Sequence, residues 1–240
     1  MCYWLVEGLV ADGHEVLVVG AGPRQVSAGY VAAFEEPQGM RIGDPILEVV
    51  HTARSLTPIE SFAPDIVHDH TLAGPLVATT RVMPTVVTAH GPVDGEIGDY
   101  YRALGDRIRL VSISSSQQSK EPGLPWVGTV HNAIPVGEYP YQPEKEDFAL
   151  FLGRMSPDKA PHLAIEVARR AGLPVVIAAK CNEKPEWRYA EEHVKPLLGN
   201  GAEWIGEADT ATKKDLLARA RCLLFPIQWD EPFGIVMVEA

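Results

Sequence analysis

The chain has 240 residues, 46% hydrophobic and 22% charged, which is ordinary globular composition with enough apolar material for one large core or two smaller ones and argues against a disordered chain. A formal charge of −11, from 21 basic against 32 acidic residues, argues against a broad basic footprint for nucleic acid, so any bound phosphate must be held locally. Three widely spaced cysteines (Cys2, Cys181 and Cys222) make no disulfide framework, and no stretch reads as a signal peptide or reaches transmembrane length, so the expectation is a soluble cytoplasmic protein.

Short β-branched runs alternate with longer amphipathic ones, the pattern of buried parallel strands covered by helices, and the class is α/β. A helix is predicted over Tyr3 to Asp12, ended by Gly13, then a strand from His14 to Val19 and a helix over 46–62. Strand-like runs follow at Asp65–His70, Thr85–His90, Ile108–Ser112 and Val127–Val130. The polar, proline-bearing stretch Pro135–Asp147 breaks the rhythm. It divides the chain into a first domain over 1–137, a linker over 138–147 and a second domain over 148–240. The second domain reads as strand Phe148–Gly153, helix Lys159–Ala171, strand Val175–Ala179, helix Glu186–Leu198, strand Glu203–Ile205, helix Thr212–Ala220 and strand Cys222–Pro226, a Rossmann-like βαβ order. Ser156 and Asp158 are natural cap residues for its first helix, Pro161 suits a first turn and Gly172 a helix end.

Two constellations carry chemistry. In the first, a strand ends in Gly153 and a turn leads to a helix start, placing Arg154 and Lys159 beside unpaired backbone N–H groups, where they could neutralise a diphosphate. Taken alone, they read more readily as two solvated surface charges, since Arg and Lys near loops are usually exposed. In the second, Trp229-Asp230-Glu231-Pro232-Phe233-Gly234-Ile235 passes from a strand end through a Pro/Gly turn to a helix that carries Glu239. Gly234 admits close backbone approach, the N–H groups from about Phe233 to Val236 would face an anion, and two carboxylates can accept from the hydroxyls of a sugar and a ribose.

These two strings, LFLGRMSPDK and EPFGIVMVE, resemble the donor-binding half of the family 4 retaining glycosyltransferases of GT-B fold. The likeness extends through PDIVHDH, VVTAHGP, LVSISSSQ and VHNAIPV. It implies two Rossmann-like domains with a cleft between them, the second incomplete and the chain truncated at both ends, with surfaces left open to self-association. It implies a donor that is a nucleotide-diphosphate sugar, UDP-linked on resemblance alone, and an acceptor that stays unknown. Arg154 and Lys159 would hold the diphosphate, Glu239 the ribose, and Glu231 the transferred sugar, helped by backbone of Phe233, Gly234 and Ile235. His90 would stand near the reacting carbon, with Asn132 and Ser114 as weaker cleft candidates. The sequence has no Asp-x-Asp motif, so no catalytic metal and no further cofactor is expected.

Two rivals stand beside this reading. His68 and His70 share a strand face and, with His90 and His131 at other strand ends, could serve a metal-dependent hydrolase on a β/α barrel. The other rival is a nucleotide-sugar-binding fragment without turnover.

Overall fold

The computed structural model describes residues 2–41 and 43–240 and divides into two compact units, one ending at Ala133 and the other spanning Ile134–Ala240. In the first unit, helix α1 (Cys2–Ala11) leads to strand β1 (Leu17–Ala21), which pairs in parallel with β2 (Gly29–Phe34). Helix α2 (Pro45–Phe62) starts sharply because Asp44 accepts hydrogen bonds from the N–H groups of Ile46 and Leu47 and Pro45 presets the first turn. It stops at Ala63, whose left-handed φ of 50° sends the chain out of the helix. A four-stranded parallel sheet follows in the order β3 (Val67–Asp69), β4 (Thr85–Thr88), β5 (Arg109–Ser112) and β6 (Trp126–Thr129). Its connections carry α3 (Gly74–Val77), α4 (Gly95–Leu104) and α5 (Ser115–Lys120), and Val87, Leu110, Tyr101, Leu104 and Ile108 form its core.

The second unit holds β7 (Ala149–Arg154), α6 (Pro161–Arg170), β8 (Val175–Lys180), α7 (Lys184–Tyr189), β9 (Ala202–Gly206), α8 (Thr210–Arg219), β10 (Cys222–Leu223) and α9 (Ile235–Glu239). Alternate residues of β7 serve opposite layers, as strand geometry dictates. Ala149 and Phe151 pack with Ile165, Ala168 and Ile177, whereas Leu150 and Leu152 pack with Leu216 and Leu217. The parallel sheet runs β10-β7-β8-β9. The chain moves outward from β7 through β8 to β9, then returns to lay β10 on the other side of β7, so the strand order reverses between β7 and β10.

Open parallel sheets of this kind exclude the single β/α barrel, whose sheet would have to close on itself. The structure also departs from sequence expectation in several elements. The first strand begins at Leu17 rather than His14, and β2 and α4 have no counterpart among the predicted elements, because the alanines of GYVAAF weaken a strand signal and the glycines of GEIGDYYRAL a helical one. Neither Ser156 nor Asp158 caps α6: the chain stays in a turn through Ala160, which takes the cap position at a φ of 51° with no side-chain bond. The helix expected over Glu186–Leu198 is broken, passing from α7 into a π-turn over Ala190–Val194 and a 3₁₀ turn at Lys195–Leu197, where Pro196 removes a donor. Residues of the expected linker are tied to the second unit, with Lys145 Nζ donating to the Ala218 carbonyl at 2.7 Å and Glu146 paired with Arg219 at 2.9 Å.

Candidate functional site

In an open α/β sheet the loops leaving two adjacent strands diverge where strand order reverses, and the gap beyond their carboxyl ends is the natural ligand crevice. In the second unit that point lies between β7 and β10. Both chemistry-bearing segments stand there: the Arg154–Lys159 turn leaves β7 and the Trp229–Gly234 segment follows β10. The backbone N–H of Gln228 donates to the Asp158 carbonyl at 2.8 Å, stitching one loop to the other.

Lys159 and Glu231 form an ion pair across 72 positions of sequence, with side chains only 15% and 16% exposed. The Lys159 ammonium also lies 5.0 Å from the centre of the Trp229 ring. Arg154 is exposed and paired with Asp158 at 3.3 Å, one turn further on. Thus the cation expected to hold a phosphate and the carboxylate expected to hold a sugar are paired with each other. Two buried donors at the same loops, Trp229 Nε1 and Ser156 Oγ, have no hydrogen-bond partner among the described residues. A native fold rarely leaves such groups unpaired, because each forfeits its hydration without return.

Gly234 adopts a φ of 72°, and a Cβ there would meet Met237 Cε at 2.7 Å and Phe225 Cζ at 3.1 Å, so the turn into α9 depends on glycine. Ile235 opens that helix and Glu239 is its last residue. Glu239 Oε1 accepts from the Tyr139 hydroxyl at 2.7 Å and from Lys213 Nζ at 2.5 Å. Burial, reinforced by this bond to a carboxylate, pushes the Tyr139 phenol up to about 12, so it stays a donor at neutral pH. Beside Glu239 lies a cavity of about 220 Å³ lined by Gly153, Lys180, Glu207, Lys213 and Val236 among others. Tyr139 and Lys213 escape sequence reasoning, since nothing in their surroundings marks them and their partner is distant in the chain.

In the first unit, His90 follows the carboxyl end of β4. Its loop is held by Gln117, a 97% buried side chain that donates to the Ala89 carbonyl at 2.9 Å and the Gly91 carbonyl at 2.7 Å and accepts from the Ile113 N–H at 2.8 Å. Ser114 is the cap of α5, accepting from the Gln117 N–H at 3.0 Å, so its role in the structure is to seat Gln117. The Ser114-x-x-Gln117 spacing of a capping box is the sequence signal for this residue. Asn132 is half-buried and lies three residues past β6, at the same edge of the sheet, as does His131.

His70 Nδ1 and His90 Nε2 lie 2.9 Å apart, and the His68 ring lies against His70, tilted by 31° with centroids 4.3 Å apart, while its Nε2 bonds Thr88 Oγ1. Burial, with the neighbouring imidazoles, pushes His70 down to about 3, and loss of water pulls His68 and His90 below the ordinary value, so all three rings are neutral at pH 7. Asp69 plays a structural part, accepting from Thr71 N at 2.9 Å and Thr71 Oγ1 at 2.7 Å and so fixing the turn after β3. A Cβ at Gly74 would run into that carboxylate, 2.6 Å from its carbon.

Two parallel-sheet units, one with paired cations and carboxylates at its strand-order reversal, define the Rossmann-like class of nucleotide-binding α/β proteins. Residues 1–118 match the family described as Glycosyltransferase Family 4, and residues 140–240 match that described as Glycosyl transferases group 1. The chain belongs to the family 4 type of GT-B glycosyltransferase. Among solved structures, a glycosyltransferase involved in avilamycin A biosynthesis aligns with a TM-score of 0.67 at 23% identity, over 98% of this chain and 65% of its own. The sucrose-phosphate synthase of Thermosynechococcus elongatus aligns at 0.76 with 14% identity, over 98% of this chain and 71% of its own. A UDP-N-acetylglucosamine 2-epimerase from Rickettsia bellii also shares the fold, at 0.56 and 11% identity, over 91% of this chain and 68% of its own. The chain therefore spans about two thirds of the length of these structures. No curated protein sequence matches the chain. No helix among the described residues is long and apolar enough to cross a membrane.

Proposed function

We propose that the chain carries the donor machinery of a retaining glycosyltransferase, moving a sugar from a nucleoside-diphosphate sugar, UDP-linked by resemblance, to an acceptor. The observation that carries this reading is the meeting of Lys159 and Glu231 at the strand-order reversal, beside the Trp229 and Ser156 donors that have no partner among the described residues. On this reading the donor diphosphate replaces Glu231 as the partner of Lys159, with Arg154 leaving Asp158 to join it. The freed Glu231 carboxylate then accepts from sugar hydroxyls. Glu239, one oxygen already committed to Tyr139 and Lys213, offers the other to the ribose.

Cleavage at the anomeric carbon puts negative charge on the departing diphosphate and positive charge on the sugar ring. Arg154 and Lys159 stabilise the first, and being already placed they need little reorganisation to do so. Retention follows if the acceptor attacks from the face the leaving group quits, its proton passing to the departing phosphate oxygen. His90, neutral at pH 7, would offer its ring to a sugar hydroxyl, and no metal is required by this scheme. A strict need for manganese surviving EDTA treatment would overturn that last point.

Calorimetry with a panel of nucleoside diphosphates tests the reading directly. One diphosphate should bind, Arg154→Ala should weaken it about tenfold or more through loss of a charge-assisted contact, and Glu231→Ala should spare the nucleotide while impairing the sugar nucleotide. No binding of any member to a demonstrably folded sample would remove the proposal. Like behaviour of both variants would remove the division of roles.

A further inference from the structure

Outside the donor site, the first residue of α1 and the carboxyl ends of β3 and β4 bring Cys2 Sγ and ring nitrogens of His70 and His90 all within 4.8 Å of one another. We propose that these three side chains form a binding site for a zinc-like transition-metal ion, with a fourth position left open to water.

The donor set selects the ion. One thiolate and two imidazoles are borderline-to-soft ligands suited to zinc or copper, and the absence of carboxylates among the three disfavours magnesium, calcium and manganese. Asp69, between the two histidines, spends its oxygen on Thr71 and supplies no ligand. The geometry agrees: ligands about 2.0–2.3 Å from a tetrahedral zinc lie roughly 3.3–3.8 Å apart, so a set already within 4.8 Å closes on an ion through side-chain rotation alone. His68 is not in the set, because its Nε2 is turned to Thr88, which differs from the His68/His70 pairing that strand alternation suggests.

The contact between His70 Nδ1 and His90 Nε2, 2.9 Å long, holds one proton between two facing nitrogens. An ion there takes that proton's place. The ring that carried it moves the proton to its other nitrogen, so both imidazoles bind neutral, and Cys2 releases its thiol proton to solvent. No redox partner is needed. If His90 also serves the sugar, as proposed above, bound zinc withdraws its Nε2 and inhibits transfer, but the site itself rests only on the first unit and stands without that reading.

Cobalt(II) reports on this site because zinc is spectroscopically silent. The full chain, stripped with EDTA, should take up one equivalent of Co²⁺ with thiolate-to-metal charge-transfer absorption in the near ultraviolet and d–d bands of tetrahedral intensity, all displaced by one equivalent of Zn²⁺. Cys2→Ser should abolish the charge-transfer band, and His70→Ala should weaken binding about 100-fold, the upper end of what even outer-sphere losses cause. A charge-transfer band that survives in Cys2→Ser, or its absence in the unmodified protein, overturns the site. Should His70→Ala fail to fold, alkylation of the unmodified protein decides: Zn²⁺ should protect Cys2 from iodoacetamide and leave Cys222, also exposed, unprotected. Equal labelling of Cys2 with and without Zn²⁺ would show that no such site forms.

Discussion

Trp229 and Lys159 illustrate how one residue's environment separates stability from binding. The Trp229 indole packs under the Lys159 ammonium, but its Nε1 donor has no partner among the described residues. Trp229→Phe keeps an aromatic face and removes only that orphan, so thermal stability should change by less than about 1 kcal/mol. Affinity for the sugar nucleotide should fall about tenfold, the worth of one hydrogen bond to a charged acceptor. Unchanged affinity in titration calorimetry would show that the orphan does not face the ligand. Lys159→Met behaves oppositely: it strands the mostly buried Glu231 carboxylate and should cost about 2 kcal/mol of stability in urea unfolding before any ligand is added. Adding the diphosphate should then restore little of that loss, since the cation that would have bound it is gone.

At the scale of elements, helix caps add to the acid response that the desolvated histidines begin. Asp209 accepts from the Thr212 N–H at 2.7 Å at the start of α8, and that backbone bond holds its carboxyl below the ordinary range; Asp44 is held down first by Arg41 and then by the backbone of α2. A carboxyl whose pKa is lower folded than unfolded contributes stability above its unfolded value, and that contribution is lost as pH falls through the folded value. Acid unfolding followed by circular dichroism should therefore steepen below about pH 4. Asp209→Asn, which keeps the acceptor but not the charge, should flatten that limb and leave the neutral-pH melting point nearly unchanged. Gly74→Ala tests a turn instead: its methyl displaces the Asp69 carboxylate from Thr71 and should cost about 2–3 kcal/mol. The alternation of strands and helices is legible in the sequence because periodicity in runs such as ALFLGR and VVIAAK depends only on neighbours. The pairing of Lys159 with Glu231, and of Tyr139 and Lys213 with Glu239, is not, since no local rule links residues 72, 100 or 26 positions apart. Gln117 sits between these cases, marked by its capping pattern but given its role by carbonyls of the loop that follows β4.

For the whole chain, the question is whether the two units respond to a donor as one body. The ligand groups proposed for the nucleotide all belong to the second unit, so on that proposal a nucleoside diphosphate should stabilise that unit by mass action, about 2.7 kcal/mol at 100 times its dissociation constant. Amides of β7 and β8 lie in the sheet's centre and exchange only when the unit opens globally, so their hydrogen exchange should slow about 100-fold, the same free energy read as a rate. Amides of β4 and β5, centred in the other sheet, report separately. If their exchange is unchanged, the units unfold independently and the nucleotide is the second unit's alone. Equal slowing in both sheets would mean that the chain unfolds as a single cooperative system, so that a ligand on one unit protects the other. Slowing confined to β4 and β5 would place the diphosphate on the wrong unit and overturn the roles given to Arg154 and Lys159.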